Sequence, residues 1–492
     1  MKNHTWTVVA GMSLALSGCG GGDSASPAPV QIPSVTAPVT PSPSPPTPKS
    51  GFEKIVSQSV DGSKVSLLWE ALAVSDINSD GKLDIIIANG SNGIKTPIAP
   101  SDNKTTFFIN DGSNRFTLLN TESIAPTGWV NDWIFIPSNN GNPYIVGIDH
   151  GREVEYIEKY FAKLPVYQIK DGKINEFTNI IPTNKQSFYH NASSVGDLNG
   201  DGISDFVVAE LTSTSFFSVY YGDNKDILKN VTSDVFGGKK YNVPYSGTGV
   251  GTTGAALIID IGNDGQKDFV LLPFWYDSSS ESFEGTNSGD LFIYKNGSFS
   301  EYVKFDARKG LDFSLPSNRG YSFAQVHDLN KDGREDFVAL AEDVKSSDGT
   351  QVFISFIQNS DKTFTLSKAF PNEPLVTSHG FTNVGNSDYK FQIIDVNGDG
   401  FLDLFWSSWF EGKSSNLKNH LFFGDGKGHF FRDATKATAI FKDVTWEGPA
   451  RTFMSDFNND GLGDLLVLQS TTSAGVKNLV TPLVFINHGK FS

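Results

Sequence analysis

Short apolar runs recur along the chain in pairs, each pair separated by a polar stretch rich in Asp, Asn and Gly. Ala71 to Val74 and Gln392 to Ile394 stand before such stretches, and Asp84-Ile85-Ile86-Ile87 and Asp205-Phe206-Val207-Val208 stand after them. Runs this short and this apolar, bounded by turn residues, predict strands buried on both faces, and each pair with its turn predicts a β-hairpin. Further along each unit come a third strand, a tight turn and a fourth strand. Examples are Phe107 to Ile109 with Asn110-Asp111-Gly112 before Phe116, and His420 to Phe423 with Asp425-Gly426 before Phe430.

The turn of the first hairpin is itself a repeat. It reads DINSDGKLD from 76, DLNGDGISD from 197, DIGNDGQKD from 260, DLNKDGRED from 328, DVNGDGFLD from 395 and DFNNDGLGD from 456. IPSNNGNPY from 136 falls in step with these copies but has lost every acid. Near-equal spacing of four-strand units predicts an all-β, seven-bladed β-propeller of four-stranded blades. The segment from Phe52 resembles a fourth strand lacking its first three, and the last unit, ending at Ser492, lacks a fourth. Residues 52 to 58 are therefore expected in the blade built from residues 446 to 492, closing the ring with an N-terminal strand and covering two sheet edges.

Composition divides the chain before the first strand. Lys2, an apolar run from Trp6 to Leu16 and then Leu16-Ser17-Gly18-Cys19 resemble the signal peptide and lipobox of bacterial lipoproteins. Residues 1-18 are expected to be removed and Cys19 lipidated. Residues 19-50 then form a lipidated Cys with a disordered Pro/Ser/Gly tether, because almost no large apolar side chain is present to offset the entropy of ordering. Gly20 is not the Asp associated with inner-membrane retention, so the expected location is the cell envelope, at the outer membrane of a Gram-negative bacterium. Cys19 is the only cysteine, so no intrachain disulfide can stiffen the body at 51-492. No apolar stretch of about 18 residues follows Gly51. A net charge of −16 argues against nucleic acid, whose phosphates require a basic face.

The acids are concentrated in the hairpin turns. Asp at positions 1, 5 and 9, Asn at position 3 and a backbone carbonyl at position 7 supply oxygen donors, with Gly at position 6 allowing the reversal. Calcium, with about six to eight oxygen ligands, is the expected ion. Its ligands would be Asp76, Asn78, Asp80 and Asp84, and Asp197, Asn199, Asp201 and Asp205. The same pattern gives Asp328, Asn330, Asp332 and Asp336, then Asp395, Asn397, Asp399 and Asp403, then Asp456, Asn458, Asp460 and Asp464. The loop with Asp260, Asp264 and Asp268 has Gly262 in place of Asn, so five strong sites and one weaker are expected. Six ions would take the charge of −16 to about −4. An EF-hand is excluded: position 12 is apolar in every copy, Ile87 and Trp406 among them, where that motif needs Glu.

These motifs resemble FG-GAP/VCBS repeats, the units of integrin α-subunit propellers and of many bacterial surface proteins. The resemblance covers residues 51 to 492 and implies a calcium-stiffened propeller; it does not specify a function.

If the first strand of each unit runs toward the Asp-rich loop, the longer connections gather on the opposite face. Trp69, Trp129, His190, Arg319, Tyr321, His379, Trp446 and Arg451 stand at or upstream of first strands, and Trp275 and Trp409 after second strands. Aromatic faces interspersed with charges suit a glycan or protein ligand. The leading expectation is a membrane-tethered binding module. One alternative is a polysaccharide-active, lyase-like enzyme using His150 or His190 as base with Arg152 or Arg319 steadying a carboxylate; no nucleophile motif, paired-carboxylate signature or cofactor fingerprint is present to favour it. The other is a structural or assembly component of the envelope.

Overall fold

The structure, a computed structural model, describes residues 50–61, 72–88, 105–119, 130–149, 164–177, 180–181, 187–212, 217–225, 227–235, 253–273, 288–295, 298–306, 319–343, 350–371, 376–377, 390–407, 409–410, 414–471, 479–489 and 491. The signal peptide, Cys19 and the tether expected over residues 1–49 lie outside this set. Among the described residues no helix is long and apolar enough to cross a membrane.

The chain is an all-β propeller built of four-stranded antiparallel blades. The described strands form seven sheets, numbered here one to seven by first strand. Sheet one orders Leu72–Ser75, Asp84–Ala88, Thr105–Asn110 and Phe116–Leu118 in sequence. Sheets two to six begin with the strands Val130–Ile136, Ser187–Gly196, Thr253–Ile259, Arg319–His327 and Phe391–Ile394. Sheet seven begins with Ala450–Ser455, followed by Asp464–Thr471 and Leu479–Asn487. Its outer strand is Phe52–Val56, antiparallel to Leu479–Asn487 from Phe52 opposite Asn487 to Val56 opposite Leu483. The N-terminal strand thus covers the edge that the last unit leaves open, as its sequence pattern requires.

Packing between the sheets explains why an apolar run follows the leading Asp of each second strand in the Asp-rich units. Every residue of Asp84–Ala88 is buried. Alternate side chains point to opposite faces, so Ile85 and Ile87 join a core shared with sheet seven, and Ile86 and Ala88 one shared with sheet two. Further cores join sheets two and three, three and four, four and five, five and six, and six and seven. The seven cores pass from each sheet to the next and return to the start, so no sheet among them faces solvent with an apolar surface.

Several features depart from the plain repeat. Trp409–Phe410, expected as part of a ligand-facing connection, is instead a short strand on the inner edge of sheet seven, with Trp409 opposite Arg451. Val376–Thr377 pairs with the start of the third strand of sheet five. A helix, Ala434–Ile440, follows sheet six, its first turn capped by the Asp433 carboxylate, which accepts from the N–H of Thr435 and Lys436. Ala437 and Ile440 bury against sheet seven, which makes the helix a wedge between two blades.

Gly222 marks a close approach that only a hydrogen allows. It ends the third strand of sheet three, where a Cβ would stand 2.5 Å from the Ser204 carbonyl oxygen and 2.8 Å from Ile203 Cγ2. Its N–H donates to Asp205, tying that strand to the Asp-rich loop. Gly222→Ala is expected to lower stability by about 3 kcal/mol through this backbone clash, read as a fall in the thermal midpoint with no loss of folded β content at 20 °C.

Candidate functional site

The six Asp-rich loops share one internal geometry. The position-one carboxylate accepts from the N–H groups of positions five and six in five of the loops, as Asp76 does from Asp80 at 3.1 Å and Gly81 at 2.9 Å, and Asp456 from Asp460 at 3.0 Å and Gly461 at 2.8 Å; Asp395 accepts instead from Gly398 at position four and Gly400 at position six. The position-five carboxylate accepts from the N–H of position seven, as Asp80 does from Lys82 and Asp201 from Ile203. Gly81, Gly202, Gly265, Gly333, Gly400 and Gly461 at position six all have φ between 81° and 88°, the left-handed region in which a side chain would be strained.

The position-nine carboxylate roots each loop in the blade. Asp84 accepts from the N–H of Ile77 at 3.2 Å and of Asn110, in the third strand, at 2.8 Å. Asp205, Asp336, Asp403 and Asp464 repeat the pair of contacts, with Leu198 and Gly222, Leu329 and Gln358, Val396 and Gly424, and Phe457 and Asn487. All five are fully buried, and among the described residues no basic side chain pairs with them. Burial, reinforced by the neighbouring carboxylates, lifts Asp84, Asp205 and Asp403 to about 7, Asp336 to about 6 and Asp464 to about 8. Burial likewise raises Asp76, Asp395 and Asp456 at position one.

Oxygen-only donors, a desolvated carboxylate and two more carboxylates in the same short loop fit a hard divalent cation. They are not a closed cage: among the described residues no three His, Cys, Asp or Glu side chains already converge as an ion-holding group. Several position-five carboxylates are also turned toward neighbours. Asp80, Asp201, Asp332 and Asp460 accept from the Asn side chain at position three. Asp332 pairs with Arg334, and Asp399 with Lys436 at 3.4 Å.

The loop from Asp260 is different. Gly262 has no side chain to reach Asp264, and Lys362 from sheet five fills the space. Its Cε lies 2.5 Å, and its Nζ 2.9 Å, from where a Cβ on Gly262 would be, and Nζ pairs with Asp264 at 3.2 Å. Lys362 therefore takes over the hydrogen bond that the position-three Asn makes elsewhere, adding a positive charge. Gln358 locks the same loop, accepting from the Gly262 N–H at 2.6 Å and donating to the Asp260 carbonyl at 3.0 Å. Neither Lys362 nor Gln358 carries a local sequence signal, since both act from a different blade.

Of the residues expected on the opposite face, Trp69, Trp129, Trp275 and His379 lie outside the described residues. The backbones of His190, Arg319, Tyr321 and Trp409 are in strands, opposite Glu210, Asp343, Ala341 and Arg451 respectively. Trp446 is in the core between sheets six and seven, edge-on to Phe410 with ring centroids 5.5 Å apart, and Arg451 is buried. Trp446 therefore serves packing. A Trp followed by Glu447 reads the same in sequence whether it faces the axis or the neighbouring blade.

A pair missed in the sequence marks the axis. Asp132, near the start of the first strand of sheet two, meets Lys390, just before the first strand of sheet six, at 2.8 Å. These sheets are not neighbours, so the ion pair spans the centre, at the strand ends away from the Asp-rich loops. Lys390 also lines a small depression with Leu72, Ser407, Arg451, Thr452 and Phe453, and its ammonium lies 5.9 Å from the centre of the Phe323 ring.

Comparison with known proteins bears on the repeat. No curated protein matches the chain. Among solved structures, one similar chain is described as a protein of unknown function from Dyadobacter fermentans DSM 18053, 11% identical, covering 89% of this chain and 98% of its own, with a TM-score of 0.35. Residues 328–406 and 395–467, in the units of sheets five to seven, match the model of the FG-GAP-like repeat family, and these units are similar to that repeat.

Proposed function

We propose that the chain is a membrane-tethered, calcium-stabilised seven-bladed β-propeller that binds a glycan or protein ligand through the face opposite the Asp-rich loops. The seven sheets and the closed succession of seven cores support the blade count. Calcium would be held by the five complete Asp/Asn/Asp/Asp loops and more weakly by Asp260, Asp264 and Asp268, where Lys362 competes. When bound, the ion neutralises the three carboxylates of a loop and fixes the hairpin turn. The tether rests on Cys19 and the Pro- and Ser-rich segment after it, which would hold the ring at the cell envelope.

The observation that carries the ligand reading is the Asp132–Lys390 pair spanning the axis. It gives the face away from the Asp-rich loops a pair of opposite charges at the strand ends; Trp69, Trp129 and Trp275, which the sequence pattern assigns to that face, lie outside the described residues. Charged groups, together with the aromatic residues that the sequence pattern assigns to the same face, suit the hydroxyls and flat faces of sugars, or a peptide.

A glycan array probed with the purified protein, then with Trp69, Trp129 and Trp275 changed to alanine one at a time, tests this. Binding to a defined glycan class that falls at least tenfold in one or more variants, with an unchanged melting temperature, is the expected result. Release of unsaturated products from a polysaccharide panel would replace it with a lyase. Co-purification with envelope proteins, without glycan binding or product release, would replace it with an assembly role.

A further inference from the structure

We infer that the Gln168 side chain takes the place of the ion in the acid-free loop of sheet two, making this hairpin the one that holds its shape without metal; the comparison rests on the calcium reading of the sister loops. The loop from Ile136 to Tyr144 keeps the turn of its sisters. The N–H of Asn142, at position seven, donates to Asn140 at position five at 3.1 Å, as Lys82 does to Asp80. Gly141 has φ 95°. What changes is the centre. Gln168, in the third strand of the same sheet and 2% exposed, directs its Nε2 into the loop, donating to Asn142 O at 2.8 Å, Asn140 Oδ1 at 3.1 Å and Ser138 Oγ at 3.3 Å. These are positions seven, five and three, the oxygens that would face the cation in a complete loop.

The chemistry of the substitution is consistent. A carboxamide nitrogen is a neutral donor, and it meets neutral oxygens here; the carboxylates that would need a full positive charge are gone. Asn140 Nδ2 returns a bond to Gln168 Oε1 at 3.1 Å, so both ends of the carboxamide are satisfied. Half-buried and exposed oxygens of the loop thus converge on one buried carboxamide, and removing that hub takes three hydrogen bonds from the loop.

Amide exchange of the full-length chain, in calcium and in EDTA, tests this. Peptides over residues 136–144 should exchange at the same rate in both, while peptides over the complete Asp-rich loops exchange about tenfold faster in EDTA. Gln168→Leu, close in size but unable to donate, should speed exchange over 136–144 about tenfold in either condition. Ser138→Ala, which removes one acceptor and is gentler on folding, should give about threefold there. Acceleration of 136–144 by EDTA to the extent of the Asp-rich loops, or no local change in both variants, overturns the inference. If EDTA accelerates none of the loops, the calcium reading fails and the stand-in with it. That pattern is distinct from a response confined to the Asp-rich loops with both variants silent, which sinks the Gln168 inference alone.

Discussion

Removing residues 51–58 is expected to lower the thermal midpoint by more than about 10 °C and to make the protein self-associate. The strand Phe52–Val56 forms the outer edge of sheet seven, and its contacts bind three parts of the fold. Phe52 is buried between sheets six and seven and stacks on Phe441 at 5.9 Å. Losing one such ring costs about 3 to 5 kcal/mol. Ser57 accepts from the N–H of Phe116 at 2.9 Å, linking the segment to sheet one, and donates its own N–H to Pro482 at 3.0 Å. Gly51 and the chain beyond Asn487 exchange backbone hydrogen bonds at 2.9 Å. Deletion would also bare Leu479–Asn487, almost wholly buried and apolar, as an unpaired edge open to another molecule. Phe52→Ala should reproduce the loss of stability in part but not the association, since the edge stays covered. A deletion variant that melts within about 3 °C of the intact chain and stays monomeric would show that the ring does not depend on this closure.

The closure was legible because an orphan strand at one end and a short unit at the other complement one another. Strands and loops were legible for a related reason. A strand buried on both faces has no polar alternation, and a nine-residue loop needing Asp, Asn and Gly at set positions repeats its letters wherever it repeats its geometry. Even the acid-free copy from Ile136 could be found by its spacing. Contacts between blades left no such trace. Lys362 reaches Asp264, and Lys390 reaches Asp132, across gaps in sequence that no local pattern spans. Gln168 reads as one more strand residue until the loop it fills is seen. The place of Trp446 leaves no trace in sequence, because an aromatic beside the axis and one between blades obey the same local pattern; the structure packs it against Phe410. The helix Ala434–Ile440 went unread because its seven residues are too few to declare a period.

Chelation of calcium is expected to lower the thermal midpoint by at least about 10 °C at pH 8, and to reverse the dependence of stability on pH. Each ion bound at 100 times its dissociation constant adds about 2.7 kcal/mol to the folded state, so five comparable sites would outweigh any single core contact. In EDTA the carboxylates Asp84, Asp205, Asp336, Asp403 and Asp464 titrate between about 6 and 8 in the folded chain, against an ordinary value of 3.8. Between pH 4 and 8 the folded state therefore binds more protons than the unfolded one, and stability falls as pH rises through the folded values. The metal-free protein should melt higher at pH 5 than at pH 8. With calcium the order inverts, because the ion displaces those protons and binds best where the carboxylates are ionised. Asp403→Asn removes one such charge. It should narrow the pH trend in EDTA and lower the calcium-dependent gain at pH 8 by about one site's worth, which separates a metal ligand from a carboxylate that only holds the turn. Equal melting in calcium and EDTA at pH 8, with fewer than three calcium ions per chain by elemental analysis, would leave the loops as turns alone.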